Sequence, residues 1–77
     1  MIKVFSTPTC SFCIVLKTFL KDYNIEFEEI NIAEDKEGAK EMIEKSGQMG
    51  VPVLDIDGEI VVGFDKKKIV ELLKIKE

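Results

Sequence analysis

The fold of this chain is decided by one segment, Ile2-Lys3-Val4-Phe5-Ser6-Thr7-Pro8-Thr9-Cys10-Ser11-Phe12-Cys13. Its first five residues are rich in β-formers and predict a short strand over 2–6. Pro8 interrupts that strand, because proline has no N–H for a ladder and its ring suits a turn into a helix. The two cysteines therefore lie where a strand passes into a helix, and Thr9 is predicted as the helix N-cap.

After this junction the apolar residues change from a strand period to a helix period. They recur at three- and four-residue spacing over 11–23 and predict a first helix, with Asn24 as a left-handed C-cap. Its predicted apolar stripe consists of Phe12, Val15, Leu16, Phe19, Leu20 and Tyr23. Residues 25–32 predict a second strand, in which the apolar positions change parity after Phe27. Either a strand covered on both faces or a bulge explains this change.

The second half of the chain predicts a helix, a hairpin and a final helix. The helix spans 35–46, with Asp35 as its cap and Ser46-Gly47 at its end. Strands over 51–56 and 59–62 flank Asp57-Gly58, a strong two-residue hairpin signal. Asp65 then caps a helix whose apolar residues are Ile69, Val70, Leu72 and Leu73.

The resulting order is β-α-β-α-β-β-α, which predicts an α/β fold with three helices and a four-stranded mixed sheet. Strands that are joined through helices are expected to pair in parallel, by right-handed crossovers. With 77 residues the chain is expected to form a single domain, 1–77.

Composition excludes several classes of function. A net charge of −4 argues against a general nucleic-acid binder, which needs a cationic face. The run Lys66-Lys67-Lys68 is either a solvated first helical turn, which we favour, or a docking patch for an acidic partner.

Neither a targeting segment nor a membrane-spanning run is visible, so we expect a cytoplasmic protein without a membrane partner. Chemistry must come from groups other than His, Trp and Arg, which are absent.

The two cysteines, Cys10 and Cys13, are the candidate catalytic residues. A spacing of three can arise by chance, from two structural thiols or from half of a metal site. The position between the first strand and the first helix, inside a β-α-β pattern, favours a redox pair. A helix N-terminus favours the thiolate of Cys10, which predicts that Cys10 is the nucleophile. Cys13, one turn deeper, then resolves the mixed disulfide.

No metal site and no cofactor are predicted. A structural zinc ion takes four ligands, whereas this chain offers two thiols and no imidazole.

Pro52 is the second informative residue, because it stands inside a run that otherwise resembles a strand. An edge strand or an ordinary turn would accommodate it. A functional alternative is a cis proline that shapes a loop beside the thiols.

Three segments together resemble the glutaredoxin family. They are the active-site segment from Phe5 to Cys13, the cis-proline segment Gly50-Val51-Pro52-Val53 and the turn Val62-Gly63-Phe64-Asp65 before the last helix. The resemblance covers essentially the whole chain and implies a thioredoxin fold, with a cis Pro52 next to the two sulfurs. It also implies that the backbone of Val51 pairs with an extended substrate. The other substrate-binding residues that it implies are Thr7, Phe12, Pro52, Gly63, Phe64 and Asp65.

The chain differs from typical glutaredoxins at two positions and from typical thioredoxins at two others. Glutaredoxins usually carry a lysine at the position of Thr7, where it holds a glutathione carboxylate, and they carry a glycine at the position of Val62. Thioredoxins have a tryptophan at the position of Thr9 and a buried acid at that of Val4. The chain more closely resembles short glutaredoxin-like redoxins, including those that serve ribonucleotide reductase. Some of these redoxins take electrons from thioredoxin reductase.

The sequence thus predicts a thiol–disulfide oxidoreductase, an enzyme or electron carrier of cell redox homeostasis. We expect a monomer that reduces protein disulfides, with ribonucleotide reductase as a candidate substrate and thioredoxin reductase or glutathione as the reductant. One alternative is a glutathione-dependent glutaredoxin. A second, suggested by Ser11, is an iron–sulfur cluster carrier that uses Cys10 as a ligand in a dimer. A third is a structural adaptor that has kept the fold.

Overall fold

Four strands and three helices alternate along the computed structural model, which describes residues 2–75. Residues 1, 76 and 77 of the predicted 1–77 domain lie outside the described residues. In chain order the elements are β1 (Ile2–Ser6), α1 (Ser11–Asp22), β2 (Glu28–Asn31), α2 (Lys36–Ser46), β3 (Val53–Ile56), β4 (Glu59–Val62) and α3 (Lys66–Leu73). The predicted order of elements is confirmed.

The sheet has the order β2-β1-β3-β4. β1 pairs with β2 in parallel, as expected, and β3 is antiparallel to both β1 and β4. The expectation that strands joined through a helix pair in parallel is wrong for β2 and β3, which are not neighbours and run in opposite directions. All four residues of β3 are buried. Leu54 and Ile56 join the cluster on one face of the sheet and Val53 joins the cluster on the other, so both faces of this strand are covered.

The second strand is shorter than the predicted 25–32. Ile25 lies in the turn that closes the C-terminus of α1, where its N–H donates to the carbonyl of Leu20 at 2.9 Å. Ile25 and Phe27 pack on the cluster formed with α1, whereas Ile30 and Ile32 pack on the cluster beside α2. The change of parity therefore reflects two covered faces rather than a bulge.

The core is divided between the two faces of the sheet. Adjacent side chains of a strand point to opposite faces, so Val4 joins the α1 and α3 side while Phe5 joins the α2 side. The first cluster consists of Val4, Leu16, Leu20, Leu54, Ile56, Val61 and Ile69, and the second of Phe5, Met42 and Val53. Both clusters bury their residues almost completely.

The buried stripe of α1 differs from the predicted one. Cys13, Leu16 and Leu20 are the buried residues of this helix, whereas Phe12 and Val15 are exposed. Residues at i, i+3 and i+7 share one helical face, and the face that meets the sheet contains the cysteine. The neighbouring apolar positions remain at the surface.

The turns and caps follow local sequence signals. Asp57 and Gly58 both have positive φ, 49° and 97°, as a two-residue hairpin loop requires. Asn24 is left-handed as predicted, with φ 56°. The carboxylates of Asp35 and Asp65 accept backbone N–H groups at the starts of α2 and α3, and both caps are confirmed.

A polar network ties α2 to the sheet on the second face. Lys45 of α2 donates to the carboxylate of Asp55 in β3 at 2.6 Å and lies 3.0 Å from that of Glu41. Lys3 of β1, which stands opposite Asp55 in the ladder, donates to Glu41 at 3.1 Å. The four groups connect one helix with two strands.

No helix within residues 2–75 is long and apolar enough to cross a membrane. The three lysines of the basic run form the exposed first turn of α3, in agreement with the solvated interpretation.

Candidate functional site

The first cysteine stands at the start of α1. Cys10 is the N-cap, and its Sγ accepts the backbone N–H of Cys13 at 3.2 Å. The prediction of Thr9 as the N-cap is wrong, because a turn brings the N–H of Cys10 to the carbonyl of Thr7 at 3.3 Å and places the sulfur over the open end of the helix. The sulfur of Cys10 thus occupies the position where a capping side chain accepts the free backbone N–H groups of a helix start.

The second cysteine is buried one turn deeper. Cys13 has no exposed surface, whereas Cys10 is partly exposed, and both are free thiols. Burial raises the pKa of the Cys13 thiol from 9.0 to about 11, and the hydrogen bond with Cys10 adds to the rise. A hydrogen bond with the Thr7 backbone and the positive charge of Lys17 act in the opposite direction. The pair thus consists of one accessible sulfur and one enclosed thiol that remains protonated near neutral pH.

The predicted cis-proline loop lies at the same end of the sheet as the cysteines. The Val51–Pro52 peptide is cis, as the resemblance implied. Phe5 stands opposite Val53 in the ladder, so the next residue of β1, Ser6, and the residue before β3, Pro52, meet at this end. From Ser6 the chain runs directly into the turn that holds Cys10.

The predicted turn before α3 adjoins this loop through Gly63. The N–H of Gly63 donates to the carbonyl of Pro52 at 2.8 Å, and the residue has a φ of 78°. The side chains of Phe64 and Asp65 make contacts with α1 and α3. The Phe64 ring packs edge-on against Phe19 with centroids 5.7 Å apart, and the Asp65 carboxylate caps α3 through the N–H of Lys68 at 3.2 Å.

Three apolar side chains in or near these segments are exposed to solvent. Phe12 directly precedes Cys13 and is 65% exposed. Met49, two residues before Val51, is 75% exposed, and Val62, opposite Val53 in the β3–β4 ladder, is 52% exposed. Of these three, the resemblance pointed only to Phe12 as a contact residue. Met49 belongs to none of the sequence motifs. Its exposure could not be predicted, because it depends on the conformation of the loop after α2.

Sequence reasoning also missed a polar group beside Cys13. Lys17 donates to the carboxylate of Glu29 at 2.6 Å, and the buried hydroxyl of Ser6 donates to the same oxygen at 3.1 Å. We call these three residues the Lys17 network. The signal that could have found Lys17 is its spacing of four residues from Cys13, which places both on one helical face.

Groups that could hold a metal ion are not apparent in the described part of the chain. Within residues 2–75 no three His, Cys, Asp or Glu residues are arranged to ligate one.

The fold and the cysteine pair define the class of the protein. A four-stranded mixed sheet with a Cys-x-x-Cys at the start of the first helix and a cis proline before the third strand is a thioredoxin fold. The solved structure of the thioredoxin-like protein BC3987 agrees with this assignment: its TM-score is 0.88 at 32% identity, covering 94% of this chain and 99% of that one.

Within that class the chain belongs to the glutaredoxin family, whose model, described as Glutaredoxin, matches residues 2–61. An uncharacterised glutaredoxin-like 8.6 kDa protein in the rubredoxin operon of Clostridium pasteurianum is 49% identical over 74 residues, covering 96% of this chain and 99% of that protein. The glutaredoxin-like protein NrdH of Lactococcus lactis is 33% identical over 72 residues, covering 94% and 99%. These relatives assign the chain to a family of thiol–disulfide oxidoreductases.

Proposed function

We propose that this protein reduces protein disulfides by a dithiol–disulfide cycle in which Cys10 attacks and Cys13 resolves. The observation that carries the proposal is the asymmetry of the pair. The sulfur of Cys10 is accessible and accepts the Cys13 N–H at 3.2 Å, while the thiol of Cys13 is fully buried one turn below. The nucleophile must be an accessible thiolate, and the resolving thiol must wait close to it.

The cycle has two exchange steps. In the first, the Cys10 thiolate forms a bond to one sulfur of the substrate disulfide, and the other substrate sulfur leaves as a thiolate that takes up a proton. In the second, Cys13 loses its proton and bonds to the sulfur of Cys10. The bond between Cys10 and the substrate breaks, and the departing thiolate is protonated. The substrate leaves as a dithiol, and the protein leaves as a disulfide.

The proposed substrate class rests on exposed apolar side chains near the cysteine pair in the chain and on the segments beside the cis proline. Phe12, Met49 and Val62 offer apolar contact area, which suits an extended segment of a protein better than a small, charged tripeptide. In this proposal the backbone of Val51 pairs with the substrate as an added strand, next to the end of β3. Gly63 borders the same segment through its bond to Pro52. Thr7 contributes its backbone to the cysteine turn.

The reductant that we propose is thioredoxin reductase rather than glutathione. Thr7 supplies no cation to a glutathione carboxylate, and the chain contains no arginine to replace that cation. We propose ribonucleotide reductase as a substrate. This proposal is supported by the similarity to a protein named NrdH and by the resemblance to redoxins that serve ribonucleotide reductase. A dithiol that is regenerated after each turnover suits a reducing compartment such as the cytoplasm.

The reductant is tested by recycling the oxidised protein. NADPH consumption is followed with insulin as the disulfide substrate, once with thioredoxin reductase and once with glutathione and glutathione reductase. We expect rapid turnover with the first system and little with the second. Rapid turnover with glutathione alone would contradict the assigned reductant and support a glutaredoxin reaction.

The roles of the two cysteines are tested by matched substitutions. Cys10→Ser should abolish insulin reduction. Cys13→Ser should leave the first exchange step intact, so that mixed disulfides through Cys10 accumulate and can be detected by mass spectrometry under non-reducing conditions. Full turnover of Cys13→Ser with a protein disulfide would contradict the dithiol cycle.

A further inference from the structure

The Lys17 network joins three elements on the α1 side of the sheet. Ser6 ends β1, Lys17 lies in the middle of α1 and Glu29 lies in β2. Both hydrogen bonds end on one carboxylate oxygen of Glu29, from the lysine at 2.6 Å and from the hydroxyl at 3.1 Å. The Ser6 side chain is buried, whereas the side chains of Lys17 and Glu29 are 23% and 45% exposed, so the network runs from the interior to the surface and holds the ammonium against the sheet.

This network lies one helical turn after the resolving cysteine along α1. Lys17 follows Cys13 by four residues, which places the two side chains on the same face of α1. The backbone of Thr7, directly after Ser6, makes a hydrogen bond with Cys13. The groups that act on the Cys13 sulfur are therefore Cys10 and Lys17 from α1 and Thr7 from the turn after β1, with Glu29 of β2 fixing the lysine.

A buried thiol needs such help at the resolving step. Only the thiolate attacks a disulfide, and burial raises the pKa of the Cys13 thiol, so few Cys13 side chains are ionised at neutral pH. A fixed positive charge one helical turn away favours the ionised form. The charge of Lys17 already acts in this direction on the free dithiol.

We propose that Lys17, held by Glu29 and Ser6, is a positioning residue that stabilises the thiolate of Cys13 as it attacks the mixed disulfide of Cys10. The inference rests on the dithiol cycle proposed above. In this step the sulfur of Cys13 bonds to that of Cys10, and the electron pair of the broken bond leaves with the substrate sulfur. The proton lost by Cys13 is transferred through solvent to that departing thiolate. Lys17 remains protonated and forms no bond to sulfur.

The experiment separates the two exchange steps with one aromatic disulfide, dithiobis(nitrobenzoate). Attack by Cys10 releases a first coloured nitrothiobenzoate in a phase whose rate rises with reagent concentration. Resolution by Cys13 releases a second one in a phase that is independent of that concentration. Stopped-flow absorbance measures both phases for wild type, Lys17→Met, Lys17→Gln, Lys17→Arg and Lys21→Met.

We expect Lys17→Met and Lys17→Gln to slow resolution about threefold at pH 7. A neutral residue removes the charge that favours the Cys13 thiolate, so fewer Cys13 side chains are ionised, while the more basic thiolate regains part of this loss through its greater nucleophilicity. Lys17→Arg should restore the rate of wild type. The pH at which resolution accelerates should rise in the two neutral variants only, a change that lost packing alone would not produce.

Lys21→Met is the control for net charge, and Lys17→Gln guards against loss of folding. Lys21→Met lies one turn further along α1 and removes the same net charge, so it corrects for attraction of the anionic reagent in the first phase. Lys17→Gln keeps a hydrogen-bond donor for Glu29 and provides a folded neutral variant should Lys17→Met be unstable.

The outcomes distinguish this inference from the proposed function. Release of a single nitrothiobenzoate by the wild type would refute the dithiol cycle itself. Release of two, with resolution equally fast in the neutral Lys17 variants, would refute the role of Lys17 alone. Slow resolution in Lys17→Arg as well would also refute it, because charge would then not be the cause.

Discussion

Substitution of Lys45 by methionine tests how α2 is fastened to the sheet. The Lys45 ammonium lies 2.6 Å from the carboxylate of Asp55, which also accepts the backbone N–H of Gly58 at 2.8 Å. Burial alone would raise the pKa of Asp55, but the hydrogen bonds from Lys45 and Gly58 overcome this effect and hold the pKa below its usual value. Lys45→Met keeps the length of the side chain and removes its charge.

The expected loss in the free energy of unfolding follows from how deeply Lys45 and Asp55 are buried. Exposed ion pairs contribute about 0–1 kcal/mol, whereas removal of one partner from a buried pair costs about 3–5 kcal/mol. The Asp55 side chain is 6% exposed and that of Lys45 is 37% exposed, so the pair falls between these cases. We therefore expect Lys45→Met to lower the free energy of unfolding by about 2 kcal/mol at pH 7. For a domain of this size the Tm falls by roughly 10 °C.

The loss should depend on pH. Because Asp55 has a lower pKa in the folded protein than in the unfolded chain, its contribution to stability is complete above the unfolded value of about 3.9. That contribution is lost as the pH falls through the folded value. Glu41, the second acceptor of Lys45, also has a lowered pKa, chiefly through its hydrogen bond with Lys45, and titrates in the same direction. The difference between Lys45→Met and wild type should therefore shrink below about pH 4.

Urea denaturation followed by circular dichroism at pH 7 and pH 3 measures both quantities. Lys40→Met, an exposed position of the same helix, is the matched control and should change the free energy of unfolding by no more than about 0.5 kcal/mol. The same lysine substitution in an Asp55→Asn background should cost less than in wild type. A loss below about 0.5 kcal/mol at pH 7, or an equal loss at both pH values, would refute the reasoning.

Three further predictions concern α2 and the rim of the site. Asp35→Ala removes the carboxylate that accepts the Gly38 N–H at 2.9 Å and should cost about 1 kcal/mol in urea denaturation, whereas Asp35→Asn should cost less. Gly47→Ala forces a Cβ into a left-handed position with φ 73° and should cost about 1–2 kcal/mol in the same assay, although the added atom meets no neighbour. Phe12→Ser should leave stability within about 0.5 kcal/mol, since the ring is 65% exposed, and should lower kcat/KM for insulin. An unchanged kcat/KM would remove Phe12 from the proposed substrate surface.

Much of the fold could be predicted because its signals are local. The strand–helix junction at Cys10, the Asp57-Gly58 hairpin and the caps at Asp35 and Asp65 each depend on residues within one turn of the chain. Elements and their order were predicted from such signals, and their ends differ from the prediction by a few residues. The N-cap was misplaced from Cys10 to Thr9 because sulfur is not among the usual capping groups.

Sheet order and burial could not be predicted in the same way. The antiparallel pairing of β3 with β1 joins residues about 50 positions apart, and no local pattern specifies it. Which face of α1 is buried also depends on the sheet beneath it. Phe12 and Cys13 are adjacent and both apolar, yet the first is 65% exposed and the second is fully enclosed.

The element order, the pair of cysteines at a helix start and the family to which they point can be read from the amino-acid sequence, because they depend on residue types at short spacings. The environment of each thiol depends on how the helices and strands pack. This packing buries Cys13, raises its pKa, and joins Lys17, Glu29 and Ser6 from three elements into one hydrogen-bonded group. The physical reason is that charge and burial act through space, and the distances that govern them are set by strand register and helix docking rather than by neighbours in the chain.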